Sequence, residues 1–168
     1  MQPDHPVTSP AIATALWWVI PGQLAGVRKP TPAEIPALPA AGIGAIVSLM
    51  DDPANLDDYA AAHLPYRWLP TQGGTAPTRA QVQDLRQFIT VQQQYGRGVA
   101  IHCSSGNRRT GTMLAAYLLT TGINLDQALQ RIYTANPQAE LRPAQLDFLR
   151  DLAAHPICHN ALESYDDI

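Results

Sequence analysis

Only two cysteines, Cys103 and Cys158, occur among the 168 residues. That is too few for a disulfide scaffold, and their surroundings differ, so both read as free thiols of a reducing compartment. No apolar run approaches the roughly 20 residues that a membrane helix needs. The longest, Ala11 to Ile20, stops at Pro21-Gly22, so no membrane span is expected. The opening residues Met1-Gln2-Pro3-Asp4-His5 carry none of the positive charge of a secretory signal, and a cytoplasmic location is the expectation. An excess of basic residues is also missing: the net charge is −3, which argues against nucleic acid or an anionic membrane as partner. Charged residues make up only 15% and apolar ones 46%, a globular composition. There are no repeats and no long linkers. The length fits a single domain over 1–168, with 1–16 and 155–168 as tails. Nothing in the pattern sets an oligomeric state.

What is present alternates. Trp17-Trp18-Val19-Ile20 reads as a strand closed by a Pro-Gly turn. Thr31-Pro32-Ala33-Glu34 is a capping-box pattern, but Pro36 and Pro39 keep the helix short or irregular. Ile43 to Leu49 reads as a buried strand, Asn55 to His63 as a short helix, and Tyr66 to Leu69 as another strand. Thr78 and Gln81 open a helix with Val82, Leu85, Phe88 and Ile89 on one face, stopped by Gly96. Gly98 to His102 is a short apolar strand. Helices follow over Met113 to Thr121, from Asn124 to about Ala135, and from Pro143. Strands that are apolar on both faces and alternate with helices predict an α/β fold with a mainly parallel central sheet flanked by helices. Ligands bind such sheets at the carboxyl ends of strands, and position 103 is at one.

The segment His102-Cys103-Ser104-Ser105-Gly106-Asn107-Arg108-Arg109-Thr110 sits between the last strand and an apolar helix. A tight loop there aims backbone N–H groups at one point, with the positive end of the helix dipole behind them. Such a loop suits a tetrahedral oxyanion and also a thiolate. Arg109 can fork two hydrogen bonds to phosphate oxygens. Gly106 lets the chain turn without a Cβ clash. Thr110 can donate its hydroxyl to the sulfur, and His102 can hold the loop through its backbone. Ser104, Ser105, Gly106, Asn107 and Arg108 complete the expected substrate-binding loop.

His-Cys, five residues, then Arg-Thr resembles the signature of the protein tyrosine and dual-specificity phosphatases. Trp18 to Gly26, Gly42 to Leu49, Leu69-Pro70, Ala76-Pro77 and Thr110 to Leu118 are similar to small atypical members of that family. The likeness covers roughly residues 17 to 152. It implies the dual-specificity phosphatase fold and a two-step mechanism, in which thiolate Cys103 takes the phosphoryl group and water then removes it. Arg109 and the amides of Ser104 to Arg109 would stabilise the phosphoryl oxygens. No metal or other cofactor is implied. The substrates would be phosphotyrosine and phosphoserine or phosphothreonine in proteins, with a phosphoinositide or another small phosphate ester as the alternative.

The sequence departs from the family at one catalytic position. The family places an aspartate, the general acid, on a loop upstream of the cysteine; alignment of the flanking prolines puts Thr71 there, followed by Gln72. A general acid contributes about 10²–10⁴-fold, so this substitution bears on function. Asp51 and Asp52, near the end of the Ile43–Leu49 strand, and Glu140 are the replacement carboxyls within view. Their ordinary roles are a turn beside Pro53 and a solvated helix start. Alternatively the substrate has a good leaving group, or the protein binds phosphate groups with little turnover. The adjacent Arg108 leaves a further alternative: Cys103 to Arg108 resembles the shorter loop of rhodanese-type sulfurtransferases. In the phosphatase register, Arg108 is a basic group at the rim. His155, Cys158 and His159 lie close in sequence but lack a clear fourth ligand, and no metal site is expected. Trp17 and Trp18 read as core and rim packing rather than a binding platform.

Overall fold

In the computed structural model, which describes residues 11–157, one five-stranded sheet has the order β1-β2-β5-β3-β4. The strands are β1 (Trp17–Ile20), β2 (Leu24–Val27), β3 (Ile43–Ser48), β4 (Tyr66–Trp68) and β5 (Gly98–His102). β1 and β2 form an antiparallel hairpin across Pro21-Gly22, whereas β2, β5, β3 and β4 run parallel. The helices are α1 (Ala11–Ala15), α2 (Leu56–Ala61), α3 (Arg79–Gln94), α4 (Arg109–Thr120), α5 (Leu125–Ala135) and α6 (Pro143–Ala154). The predicted mainly parallel sheet with flanking helices is therefore present.

Period-two alternation along β5 splits the interior into two cores. Val99, Ile101 and Cys103 face one, with Met113, Leu114 and Leu118 of α4 and Leu85 and Ile89 of α3. Ala100 faces the other, with Ile12, Ile35, Leu38, Ile46 and Tyr59. Because β5 is central, both of its faces are fully buried. Emptying a site such as Leu114, which has no exposure, typically costs about 2–5 kcal/mol.

Local signals set the helix starts. Thr78 Oγ1 accepts from the Gln81 N–H at 3.1 Å, and Gln81 Oε1 accepts from the Thr78 N–H at 3.0 Å, a reciprocal cap for α3. Asn124 and Gln127 repeat the arrangement at α5. Three expectations need correction. β2 was not anticipated, because Leu24-Ala25-Gly26-Val27 is short and carries small residues; Gly26 is required there, since a Cβ would run into the Trp17 ring. α4 starts at Arg109, four positions before Met113, so Arg109 and Thr110 belong to its first turn. Residues 11–16 do not form a tail: Ile12 is fully buried in the second core. The Thr31–Glu34 pattern yields 3₁₀ turns over Pro32–Ala37 and Pro39–Ala41, as its prolines suggest.

Candidate active site

Three strand ends converge beneath one loop. β5 delivers His102 and Cys103, and six residues later α4 begins with its N-terminus facing the turn. The loop is tied on both sides. The Leu49 N–H, just past β3, donates to His102 O at 2.9 Å, and the Lys29 N–H, just past β2, donates to Ser104 O at 3.0 Å. Cys103 is 2% exposed, and its Sγ accepts the Gly106 N–H at 3.3 Å. Gly106 has φ +80°, and a Cβ there would lie 2.6 Å from the carbonyl of Val27 and 2.7 Å from the nitrogen of Arg28. Both facts demand glycine. Replacing Gly106 with alanine is therefore expected to displace the loop, lower Tm and reduce phosphate-ester turnover by about 100-fold, since small misplacements cost that much. Melting curves alongside steady-state rates check it.

Arg109 is the guanidinium of the site; its side chain is 10% exposed. Nη2 donates to Ser104 Oγ at 3.2 Å, and Nη1 donates to the Thr71 carbonyl at 2.9 Å. The Leu49 carbonyl and Asp51 Oδ1 lie at 3.5 and 3.4 Å from Nη1. Arg108 turns away: its side chain is 44% exposed and lies 3.7 Å from Glu140. The structure thus brings Arg109 into the loop and leaves Arg108 on the rim. Asn107 Oδ1 accepts from Asn136 Nδ2 at 3.0 Å, while Ser105 is exposed. Ser105 and Asn107 border a cleft of about 210 Å³ that Trp17, Arg28, Asn136 and Gln138 also line. Trp17 thus sits at the rim.

Thr110 departs from expectation. Its hydroxyl is buried and makes no hydrogen bond, so it does not donate to Sγ; placing the residue inside the first turn of α4 holds it there. Thr71 is 4% exposed, and its hydroxyl donates to Leu69 O at 3.1 Å, so it has no proton-donating role toward the loop. Asp52 accepts the Ala54 N–H at 2.9 Å, the turn role expected beside Pro53. Asp51 does more than make a turn, since it reaches Arg109. Glu140 is 72% exposed beside Arg108. Among the described residues no group of three or more His, Cys, Asp or Glu side chains is placed to hold a metal ion, and no helix is long and apolar enough to cross a membrane. Cys158 and His159 lie outside the described residues.

His102 has no exposure. Its Nδ1 lies 3.0 Å from the Cys103 carbonyl and its Nε2 lies 2.8 Å from the Tyr59 hydroxyl. Burial pushes its pKa down to about 4, against the bond to Cys103 O, which raises it; the positive charges of Lys29 and Arg109 lower it further. Nearby, Arg28 forms a two-pronged bond to Glu34, both contacts 2.8 Å, and this partner holds the Glu34 carboxyl down at about 2.

Both shifts predict acid lability. From pH 6.5 down to about 4 the unfolded chain protonates His102 and the folded chain does not, so stability falls with pH, by up to about 3 kcal/mol. From 4.5 down to about 2 the same holds for Glu34, at about 1 kcal/mol once solvent screening is allowed for. Urea unfolding across this range should show His102→Gln lacking the upper step and Glu34→Gln lacking the lower one.

Tyr59, Lys29, and the Leu49 and Thr71 carbonyls were not legible from sequence, because their roles arise from chain segments brought together only by the sheet. The chain is similar to known proteins. A family model described as "Swiss Army Knife protein, DSP-PTPase phosphatase domain" matches residues 13–166. The rat protein "Phosphatidylglycerophosphatase and protein-tyrosine phosphatase 1" is 33% identical over 76 residues, 45% of this chain and 39% of that protein. Human "Dual specificity protein phosphatase 5" is 31% identical over 77 residues, 45% of this chain and 20% of that one. The chain thus spans well under half the length of these curated relatives. The solved structure of "Tk-PTP in the active form" superposes with a TM-score of 0.77 at 27% identity, covering 84% of this chain and 97% of that one.

Proposed function

Because the chain belongs to the DSP-PTPase phosphatase domain family, we propose that it hydrolyses phosphate monoesters through a phosphorylated Cys103. In the first step the Cys103 thiolate attacks phosphorus. The S–P bond forms as the P–O bond to the leaving group breaks, and the departing oxygen keeps the electron pair. In the second step water attacks phosphorus, the S–P bond breaks, and the thiolate and inorganic phosphate are released. Loop amides and Arg109 carry the phosphoryl charge in both steps. The observation that carries this reading is Arg109, held at Ser104 Oγ and the Thr71 carbonyl beside a buried cysteine at a helix N-terminus. The outward turn of Arg108 weighs against the sulfurtransferase register. The proposed substrates are phosphotyrosine and phosphoserine or phosphothreonine in proteins. A lipid phosphate is the second reading, supported by the printed name of the rat relative.

The test is phosphate release from para-nitrophenyl phosphate, with and without vanadate. Turnover that vanadate blocks supports the proposal. Phosphate binding without turnover favours a binding module, and neither result would redirect attention to sulfur transfer from thiosulfate to cyanide.

With Thr71 engaged at Leu69, an aryl leaving group should be strongly preferred over an alkyl one, by about 10²–10⁴-fold, the value of an acid. Asp51→Asn separates two roles. If Asp51 only braces Arg109, aryl and alkyl rates fall by the same modest factor, which is the expected result. A loss confined to alkyl phosphates would identify Asp51 as the acid.

A further inference from the structure

We propose that the open edge of β4 docks substrate proteins, and that it takes an extended segment rich in lysine or arginine. The proposal rests on the reading of the chain as a protein phosphatase. β4 is the last strand of the sheet and pairs with β3 on one side alone. The Ile46 N–H donates to Pro65 O at 3.0 Å, and the Leu69 N–H donates to Ser48 O at 2.9 Å. Backbone groups alternate in direction along a strand, so Arg67, midway between Pro65 and Leu69, also bonds toward β3. Tyr66 and Trp68 therefore direct their N–H and C=O groups out of the sheet edge, where among the described residues no strand meets them. Such a row is a template for a further strand. Pro65 and Pro70 bracket it and keep it short.

The side chains around this edge decide which strand fits. Tyr66 and Trp68 are exposed and lie on the sheet face that α2 covers, with the Tyr66 ring centroid 6.2 Å from that of Tyr59. The Trp68 indole is fixed there by Nε1, which donates to Met50 O at 2.7 Å. On the other face Arg67 lies 3.0 Å from Asp84 and over the Phe88 ring. The chain leaving β3 brings Asp51 and Asp52, and the first turn of α2 brings Asp57 and Asp58, all four exposed. Among the described residues only Asp51 of the four has an ion-pair partner, Arg109. Two aromatic rings with uncompensated carboxylates favour a cationic strand and disfavour a second copy of the same negative edge. The edge is also continuous with the active site, since β4 leads through Leu69 and Pro70 to Thr71, whose carbonyl holds Arg109. A strand added at β4 lies three strand spacings from β5, about 14 Å, which about four extended residues span. A docked segment therefore presents to Cys103 a phosphorylated residue about four positions away.

The test compares phosphotyrosyl peptides that carry a Lys-Val-Lys-Val-Lys segment about four residues before or after the phosphotyrosine with peptides in which Glu replaces Lys. In one of the two orders the lysine peptide should have a KM about tenfold below its glutamate counterpart with kcat kept, and high salt should shrink the difference. Tyr66→Pro, which removes an outward N–H that makes no ladder bond, should lose that gain, as should Asp57→Asn combined with Asp58→Asn. Both variants should keep wild-type turnover of para-nitrophenyl phosphate. In hydrogen exchange, the unphosphorylated lysine peptide should protect the Tyr66 and Trp68 amides, which exchange freely without it. Equal KM values for lysine and glutamate peptides in both orders, or peptide binding that leaves those two amides unprotected, overturns the proposal. Protection of both amides in a peptide-free dimer also overturns it, by giving the edge to a second copy. Should Tyr66→Pro not fold, the aspartate variant and the exchange measurement decide. A wild type that hydrolyses no phosphate ester, yet protects these amides with the lysine peptide, counts against the proposed function and not against the docking edge.

Discussion

Cys103→Ser is expected to stop turnover of para-nitrophenyl phosphate, by at least about 10⁴-fold, while inorganic phosphate still binds within a few-fold of wild type. The two outcomes follow from different parts of the loop. Binding draws on amides, Arg109 and the N-terminus of α4, of which the Gly106 N–H alone donates to the sulfur. Turnover needs an ionised nucleophile, and a serine hydroxyl stays protonated in the absence of an adjacent base. Among the described residues no side-chain base is hydrogen-bonded to Cys103 Sγ, whose partner is the Gly106 N–H, and His102, the nearest imidazole in sequence, spends both ring nitrogens on Cys103 O and Tyr59. Steady-state rates with phosphate binding by calorimetry make the comparison. A serine variant that keeps its rate would move the nucleophile away from position 103.

Arg109→Ala should cost about 10³-fold in kcat/KM, in the range of lost oxyanion donors and transferring-phosphoryl clamps. Arg109→Lys should recover little, because a point charge cannot replace a planar fork that touches Ser104 Oγ with one nitrogen and the Thr71 carbonyl with the other. Removing the guanidinium also takes from the Thr71 carbonyl the donor it has at 2.9 Å, so the 69–77 loop should lose protection from hydrogen exchange. Arg108→Ala is the control. Its side chain faces solvent and Glu140, and the rate should stay within about threefold. A larger loss at 108 than at 109 would reverse the assignment and revive the shorter, sulfurtransferase-like register.

Much of this was readable from residue order. β3 and β5 announce themselves as apolar runs, α3 by its capping box, α5 by its start at Asn124, and the loop by Cys103, Gly106 and Arg109 at fixed spacing. What escaped has physical reasons. β2 is four residues of Leu, Ala, Gly and Val, and becomes a strand only because β1 and β5 pair with it on either side. In the first turn of α4, Thr110 and Gly111 have weak intrinsic helix preference; their burial against the rest of the core overrides it. The Thr110 hydroxyl looked like a partner for sulfur, but helical geometry keeps it inside. Tyr59 is 43 positions from His102, and no local pattern links a tyrosine on a short helix to a histidine at a strand end. Asp51 was visible as a carboxyl near a strand terminus, yet its contact with Arg109 depends on how the chain leaves β3.

The strand order has a consequence for biosynthesis. β2 and β3 emerge from the ribosome well before β5, yet in the finished sheet β5 lies between them. Until residues 98–102 are made, both carry unpaired backbone edges with nothing to separate them. Direct pairing of β2 with β3 would leave no slot for the central strand, and inserting it later would require breaking that ladder. Long-range parallel pairing of this kind is slow and exposed to aggregation. Nascent chains truncated before Gly98 are therefore the ones that should recruit chaperones, and release from them should coincide with the appearance of the segment that carries Cys103.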